Sequence, residues 1–375
     1  MKNLTKCAVA AALAASFGVA SAAPSVTLYG RIDTGFAYTH TMDAPKGSSS
    51  DQFEMTSGMY SGSRWGLKGS EMIGSTKVGF QLESGFASDA GTSGQGGRLF
   101  GREARLYLSG AWGEFGAGRM GSPLSTCGSV SKYWDFDPFE GAFTDAGLQG
   151  TQAFTWNRYD NSLYYVSPKF AGFEAGAFYS LAGLSKQETT GLAADDHYGA
   201  VYIRWDGSEA KAILGAESYY VGHAKEATTK PNRNQYSVKA AATWTPGKGP
   251  FTLYAGANWF KNYSQFSDVI YDTPAFDDSG RGMEGIAGFI GATYDVGATS
   301  CKASFQYLDG KNKGAETGAD GDYKRYVAAV GAHYRFSKRT SVYGNLSYAK
   351  GTGALDDGET TTNRVILSTG LVHKF

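Results

Sequence analysis

After its first 22 residues, the sequence has no apolar run long enough for a helix that crosses a membrane. No later stretch approaches about 18 consecutive apolar residues, the length that such a helix needs. An excess of charge of one sign is also lacking, because 35 Lys and Arg residues balance 35 Asp and Glu residues, so no nucleic-acid partner is indicated. Proline is scarce, at 9 residues, whereas 52 Gly, 24 Tyr and 22 Phe indicate strands and turns. A membrane protein with this sequence would therefore need an architecture other than a helical bundle.

The first 22 residues have the pattern of a cleaved export signal. Lys2 and Lys6 form a charged start, an apolar stretch follows, and a small-residue cleavage site, Ala20-Ser21-Ala22, ends the segment. The apolar stretch is itself too short to span a membrane. We therefore expect a signal peptide at residues 1–22 and one mature domain at residues 23–375.

Cysteine is nearly absent from the expected mature chain, in which only Cys127 and Cys301 remain. Export to an oxidising compartment would permit a disulfide between them. Two free thiols are the favoured interpretation, because Cys301 has the strand parity of apolar residues and Cys127 falls in a long loop. The bridge stays open as an alternative.

Apolar and polar side chains alternate along most of the mature sequence. In SVTLYGRIDTGFAYTH, Val26, Leu28 and Ile32 share one parity, and Arg31 and Asp33 share the other. The same period of two returns in VGFQLESGF and in YSVKAAATW. We predict sixteen strands, near residues 25–39, 53–69, 75–87, 98–110, 113–120, 155–167, 171–181, 197–206, 209–221, 234–245, 250–262, 283–295, 298–309, 323–335, 340–350 and 362–375.

The connections between these strands alternate in length. Tight turns such as TPGKG and DVGA follow the even strands, and long polar loops follow the odd ones. Transmembrane barrels have short periplasmic turns and long external loops, whereas a soluble β-sandwich has no reason to keep this asymmetry. Aromatic residues concentrate at strand ends, as two interfacial girdles require; they are Trp65, Trp112, Trp156, Trp205, Trp244, Trp259, Tyr294, Tyr334 and Tyr348. The sequence predicts an all-β fold, a transmembrane antiparallel β-barrel of sixteen strands.

The last residues form an amphipathic strand that ends in an aromatic residue. Leu367, Leu371 and His373 share a parity with the terminal Phe375. Such a strand is the assembly signal of outer-membrane barrels, and Phe375 is its final element. It would place the last strand beside the first, so that the closed sheet has no free edge.

Five spaced motifs occur in order along the mature sequence: VTLYGRIDTGF, SRWGLKGSE, WGEFGAGR, NRYDNSLYYVSPKFAGF and LVHKF. Together they resemble the Gram-negative general porins of the β-proteobacteria. The resemblance implies an outer-membrane homotrimer of sixteen-stranded barrels, in contact with lipid and lipopolysaccharide, through which small hydrophilic solutes and ions diffuse. It also implies a third loop that folds inward as a constriction. It implies no cofactor and no metal.

The third loop, at about residues 121–154, is the longest connection in the sequence, and loops of this length are usually functional. Its Asp-Pro-Phe-Glu-Gly segment is similar to the loop tip of related porins, although the residue order differs. If the loop enters the barrel, its carboxylates would supply the acidic side of a constriction; they are Asp135, Asp137, Glu140 and Asp145.

A basic wall would face this loop. Strand parity turns six cations to the lumen, since placing Arg or Lys in lipid costs about 2–4 kcal/mol at the midplane; they are Arg31, Arg64, Lys68, Lys77, Arg105 and Arg158. Arg119 shares the outward parity of Phe115 and Ala117, whereas the family pattern has an inward Arg where the loop begins, which would require a bulge. The wall favours a weak preference for anions, and the acidic loop opposes it.

Two other classes of function are weighed against a diffusion channel. An enzyme needs a nucleophile with a base, and the histidines form no evident set with Ser and Asp; they are His40, His197, His223, His333 and His373. An adhesin, or a solute-specific channel, would depend on the long loops, and a conductance measurement separates an open channel from a plugged adhesin. Two acidic fragments, at residues 320–322 and 356–359, lack the twelve-residue spacing of a calcium loop.

Overall fold

Antiparallel strands make up most of the structure, a computed structural model that describes residues 25–44, 48–154, 157–181, 196–220, 234–263, 282–312, 321–353 and 363–375. The strands are β1 (Ser25–Ala44), β2 (Ser48–Ser57), β3 (Arg64–Ile73), β4 (Thr76–Gly85), β5 (Glu103–Gly110), β6 (Gly113–Gly121), β7 (Arg158–Val166), β8 (Phe173–Ser180), β9 (His197–Asp206), β10 (Ala210–Tyr220), β11 (Gln235–Trp244), β12 (Phe251–Tyr263), β13 (Met283–Val296), β14 (Thr299–Asn312), β15 (Gly321–Arg335), β16 (Thr340–Gly353) and β17 (Arg364–Lys374). The expected signal peptide and Trp156 lie outside the described residues.

The sheet closes into a barrel through its first and last strands. β1 pairs with β17 in an antiparallel register that runs from Arg31 opposite Lys374 to Thr41 opposite Arg364. At the seam, the backbone N–H of Gly30 donates to the carbonyl of Phe375 at 3.0 Å, and the N–H of Phe375 donates to the carbonyl of Gly30 at 3.1 Å. The predicted all-β barrel is confirmed, and Phe375 lies at its closure.

The barrel has sixteen strands, although seventeen segments are present, because β2 and β3 are two parts of one strand. Both pair with the same edge of β1: Ser57 lies opposite Thr34, and Arg64 lies opposite Arg31. Three steps along β1 therefore face seven steps along its partner, which carries four extra residues. We call residues 58–63, which contain this excess, the notch. The prediction of one unbroken strand over residues 53–69 was wrong at this place.

Connections of two to six residues join β3 to β4 and each later odd-numbered strand to the next one, as short periplasmic turns require. The first connection differs from the prediction of a long loop, because β1 and β2 both extend and leave only residues 45–47 between them. No helix in the described ranges is long and apolar enough to cross a membrane. Cys127 is buried and Cys301 is exposed, and both are free thiols.

The outward side chains form an apolar band between two aromatic levels. On β11, Tyr236 and Trp244 are both exposed on the outer face, eight residues apart, with Val238, Ala240 and Ala242 between them. Further outward aromatics lie near the strand ends; they include Trp205, Trp259, Tyr294, Tyr334 and Tyr348. Aromatic rings at two levels are typical of strands whose ends lie at membrane–water interfaces.

We predict that Gly30→Ala weakens closure of the barrel. A Cβ at Gly30 would overlap the ring of Phe375 and lie 2.7 Å from the carbonyl oxygen of Arg64, and overpacking of this kind costs about 1–3 kcal/mol. The matched control is Gly344→Ala on β16, where an added Cβ meets nothing within 4 Å. Urea titration of the barrel in detergent, followed by heat-modifiable gel mobility, measures the difference. Equal midpoints for the two variants would contradict the assigned seam.

Candidate functional site

In the connection between β6 and β7, residues 122–154 fold into the barrel and fill one side of it. Their apolar side chains pack against inward residues of β7 to β15 in one continuous buried cluster. Tyr133 and Phe136 of the loop are fully buried, as are Tyr198 and Phe260 of the wall. Burial of each such ring contributes about 1.5–3 kcal/mol. This half of the interior is a dry core, so any water-filled path runs along the other half.

A buried ion pair anchors the start of the loop to the filled side. The Nζ atom of Lys239 lies 2.8 Å from Oε1 of Glu217, and both side chains are 0% exposed. Lys239 also donates to the carbonyl of Leu124 at 3.0 Å, and the hydroxyl of Tyr198 donates to Glu217 at 2.5 Å. Breaking a buried pair of this kind leaves an uncompensated charge, so these contacts fix the path of the loop.

Asp145 forms the second anchor of the loop. Its carboxylate is 2.6 Å from Arg325 on β15 and 2.7 Å from Arg364 on β17, and it is 0% exposed. Close by, the hydroxyl of Thr151 donates to Oε1 of Gln306 at 2.6 Å, and the Gln306 amide donates to backbone carbonyls of the loop, the shortest at 3.0 Å. Asp145 therefore holds the loop to the wall and is shielded from the lumen.

Asp135 and Glu140 also pair with cations of the wall. Asp135 lies 2.6 Å from Arg204, and Glu140 accepts from Lys302 at 2.8 Å and from the hydroxyl of Tyr60. Although burial acts to raise the pKa of Glu140, Lys302 and Tyr60 outweigh it and lower that pKa to about 2. Glu140 is thus ionised at neutral pH, with its charge matched by Lys302.

Asp137 organises the loop itself. Its carboxylate accepts from the backbone N–H groups of Phe139 at 2.9 Å and Gly141 at 3.0 Å. Burial raises its pKa to about 6, although these N–H donors and that of Leu148 act to lower it. The carboxylate closes a turn at the Asp-Pro-Phe-Glu-Gly segment and is 2% exposed, so it does not face the open side of the barrel.

On the open side, a polar cavity of about 250 Å³ lies between the loop and the wall of β1, β3, β4 and β5. Its wall side carries three guanidinium groups; its lining includes Arg31, Ser61, Arg64, Glu83, Arg102, Glu103, Ser129, Trp134, Glu140 and Phe143. The larger grooves among the described residues are apolar and lie on the outer face of the barrel. The polar cavity is therefore the candidate site at which a solute inside the barrel would meet charge.

The carboxylates around this cavity are already paired. Glu83 accepts from Nε of Arg102 at 2.7 Å, and Glu103 accepts from the backbone N–H and the hydroxyl of Ser129, both at 2.9 Å. Arg31 and Arg64 instead share the hydroxyl of Ser61. The distance from Arg64 to Glu83 is 3.8 Å, longer than a hydrogen bond. Among the described residues, neither Arg31 nor Arg64 has a carboxylate within hydrogen-bond distance, whereas Arg102 has Glu83.

The other predicted wall cations lie at different places. Lys68 lies in the middle of β3 and Lys77 at the start of β4, with their ammonium groups 5.2 Å and 5.7 Å from the ring centroids of Tyr29 and Tyr107. Arg105 lies 3.2 Å from Glu114. Arg158 was predicted to have inward parity, but beyond a bulge on β7 it pairs with Gly121, one position from the inward Tyr159; it is buried, and its charge acts on Arg64. The structure therefore brings Arg31 and Arg64 together, with Arg158 near them, and separates both lysines from this group.

Arg119 does not join the cavity. The register between β6 and β7 shifts between Gly118 and Met120, where two steps along β6 face three steps along β7, so the extra residue lies on β7 and not beside Arg119. Arg119 keeps the outward parity, opposite Ala104 on β5, and donates to Asp160 and to the carbonyl of Gly101, both at 2.7 Å. A bulge that would turn Arg119 inward is therefore not present in β6.

Several residues of the site were missed from the sequence. Arg102 lies in the predicted strand at residues 98–110 and shares the outward parity of Leu106, but it precedes β5 in the structure, where strand parity does not apply, and Ser61 lies in the unpredicted notch. Lys302 and Arg325 lie on predicted strands with inward parity, and the cost of charge in lipid would have placed them inside. Among the described residues, no cluster of three or more His, Cys, Asp or Glu side chains could hold a metal ion.

Known proteins resemble this chain along almost its whole length. The family model described as Gram-negative porin matches residues 8–354. An outer membrane porin protein of Bordetella pertussis is 33% identical over 403 residues, covering 99% of this chain and 100% of the relative. Outer membrane porin protein 32 of Delftia acidovorans is 29% identical, covering 94% of this chain and 91% of the relative.

Solved structures share the fold. An anion-selective porin from Comamonas acidovorans superposes with a TM-score of 0.68 at 25% sequence identity, covering 94% of this chain and 100% of that one. The outer membrane channel DcaP of Acinetobacter baumannii has a TM-score of 0.62 at 16% identity, covering 94% of this chain and 97% of that chain. The second similarity concerns the fold alone.

We predict that Asp145→Asn destabilises the barrel far more than Asp135→Asn. Asp145 is 0% exposed and its loss leaves two guanidinium groups without their carboxylate, which costs about 3–5 kcal/mol for a buried pair. Asp135 is 44% exposed and its partner Arg204 keeps Asp206 at 2.7 Å, so that cost is about 1 kcal/mol or less. Urea midpoints in detergent measure both. Similar midpoints would show that Asp145 is not an anchor.

Proposed function

The chain belongs to the Gram-negative porin family, and on this basis we propose that its barrel is a general diffusion channel for small hydrophilic solutes, with a weak preference for anions. A porin of this family is an outer-membrane channel rather than an enzyme. The proposal adds to this the sign of the preference and the residues responsible. A solute-specific channel is the alternative.

One observation carries the anion preference. Arg31 and Arg64 converge on the neutral hydroxyl of Ser61 at the wall of the polar cavity. The acidic residues of the loop offset them only in part, because Asp135, Glu140 and Asp145 are each paired with a cation of another wall strand, although Glu140 also lines the cavity. In a confined space of low effective dielectric, such a surplus attracts anions and repels cations. The similar anion-selective porin from Comamonas acidovorans supports the same sign.

The proposal includes a homotrimer, as the family resemblance implies. The unequal lengths of the strands around the barrel support it. β5 and β8 have 8 residues and β6 and β7 have 9, whereas β13 to β16 have 14 or 15. A strand that faces lipid on its outer side needs about 9–11 residues. The wall at β5–β8 is at or below this limit, so we infer that protein covers it.

Charged side chains on the outer face near the short strands β5 to β7 support the same inference. Arg119 and Arg98 both pair with Asp160, at 2.7 Å and 2.8 Å. On β6, Arg119 is the second outward residue above Phe115 of the lower aromatic level. The residue at the same height on β11, the second outward residue above Trp244, is the apolar Ala240. Charge at this level would face lipid at a cost of about 2–4 kcal/mol at the midplane. A second copy of the chain seated over β5–β7 would remove that cost.

Contact with lipopolysaccharide is proposed for the side of the barrel that β12 to β16 form. Beyond the upper aromatic level, exposed lysines face outward at the long-loop ends of the strands; they are Lys261 on β12, Lys324 on β15 and Lys350 on β16. Cations at this height lie beside the headgroups of the outer leaflet, where they can pair with phosphate. We also retain residues 1–22 as the proposed export signal.

We predict that Arg31→Gln and Arg64→Gln each lower the anion-to-cation permeability ratio, by about two- to fivefold, because each removes charge at the polar cavity. The control is Lys211→Gln, which removes one inward charge near a short turn. Reversal potentials of single channels in a KCl gradient give the ratio. A wild-type channel that prefers cations, or Arg variants equal to Lys211→Gln, would refute the proposed role.

We predict that a second copy of the chain covers β5. In a background without Cys127 and Cys301, Leu106→Cys and Leu214→Cys each place one thiol on the outer face, on β5 and β10 respectively; these positions are 58% and 53% exposed in one chain. A benzophenone attached to the thiol at 106 should cross-link two copies in native membranes, and at 214 it should label lipid. Dimer-sized bands on a denaturing gel score the result. Equal cross-linking at both positions would argue against the assigned face.

A further inference from the structure

We propose that the notch, residues 58–63, is a second constriction element, and that its Ser61 is the positioning residue that holds Arg31 and Arg64 at the pore. The inference rests on the proposed anion preference and deepens it. It assigns that preference to a break in a barrel strand, in addition to the inward loop. The argument depends on how the notch is fixed at its base, how it reaches the loop, and what Ser61 binds.

The base of the notch is fixed by Asp33, which is 0% exposed. Its carboxylate accepts from the backbone N–H groups of Ser61 at 2.8 Å and Tyr60 at 3.1 Å, and from the hydroxyl of Tyr343 at 3.1 Å. Gly58 has a φ of +77°, and a Cβ there would lie 2.7 Å from the Cα of Gly62. Only glycine fits this pinched base readily, so the four extra residues protrude inward as a tight loop.

The far end of the notch is fastened to the inward loop. The carbonyl of Met59 accepts from the backbone N–H of Phe143 at 2.9 Å, and the hydroxyl of Tyr60 donates to Glu140. The ring of Tyr60 lies 5.4 Å from the ammonium of Lys302 on β14. The notch therefore connects the basic wall with the loop tip, and its position is fixed from both sides.

Ser61 occupies the side of the notch that lines the polar cavity. Its Oγ atom accepts from Nη2 of Arg64 at 2.8 Å and from Nη1 of Arg31, and the carbonyl of Gly62 accepts from Nε of Arg64 at 2.9 Å. Two guanidinium groups repel each other, so an acceptor between them is needed to hold both in place. A carboxylate there would cancel their charge, whereas a hydroxyl orients both groups and leaves the charge available to a solute.

Ser61→Ala tests the inference, because it removes the shared acceptor and retains both arginines. We expect the anion-to-cation permeability ratio to fall by about twofold and the open-channel current noise to rise, since both guanidinium groups gain freedom. Ser61→Thr keeps a hydroxyl and should restore the wild-type ratio. The control is Ser341→Ala on β16, an inward hydroxyl outside the cavity. Heat-modifiable gel mobility shows that each variant is a folded barrel.

The outcomes separate this inference from the function on which it rests. A wild-type channel without anion preference removes the proposed function and this inference with it. A ratio that falls in Arg31→Gln and Arg64→Gln but stays at the wild-type value in Ser61→Ala would overturn the positioning role alone. A Ser61→Thr channel that behaves like Ser61→Ala would also overturn it, because the effect would then not depend on the hydroxyl.

Discussion

A backbone that crosses lipid must satisfy every N–H and C=O group within the protein, because hydrocarbon offers no partner. This chain meets the constraint by pairing β1 with β17, so that the ladder of hydrogen bonds returns to its start. Closure then forces each strand to present one face to lipid and one to the interior. The alternation of apolar and polar residues, the aromatic levels and the terminal Phe375 against Gly30 all follow from this closed ladder.

The closed barrel leaves an interior that is too wide for its own wall residues to fill, and residues 122–154 fill one side of it. Carboxylates of this loop form much of its attachment to the wall. Asp145 joins the loop to β15 and β17, and Glu140 joins it to Lys302. Charges used in this way are matched at short distance and contribute little field in the remaining space. In the proposed channel, Arg31 and Arg64 therefore give the open side its preference for anions.

The strands differ in length around the barrel, and the interior is filled on one side only. The short strands, β5 to β8, border both parts of the interior, because β5 lines the polar cavity whereas β7 and β8 pack against the loop, and the long strands, β13 to β16, help to enclose the filled part. Arg31 and Arg64, which face the cavity, lie on β1 and β3. In the proposed trimer, the short strands of each copy would be covered by protein at the centre, and the long strands would face lipid, which a strand needs about 9–11 residues to cross.

The sequence by itself determined the class of fold, most strand bounds and the inward parity of Arg31 and Arg64, because alternation and turn residues are local properties of the chain. It could not reveal the notch. The insertion adds four residues, an even number, so Phe53 and Met55 before it keep the parity of Trp65 and Leu67 after it. The roles of the acidic residues were likewise decided only by tertiary structure. Asp145 meets Arg325 and Arg364 across 180 and 219 positions of sequence, and such pairs depend on the register of the closed barrel and on the path of the loop through it.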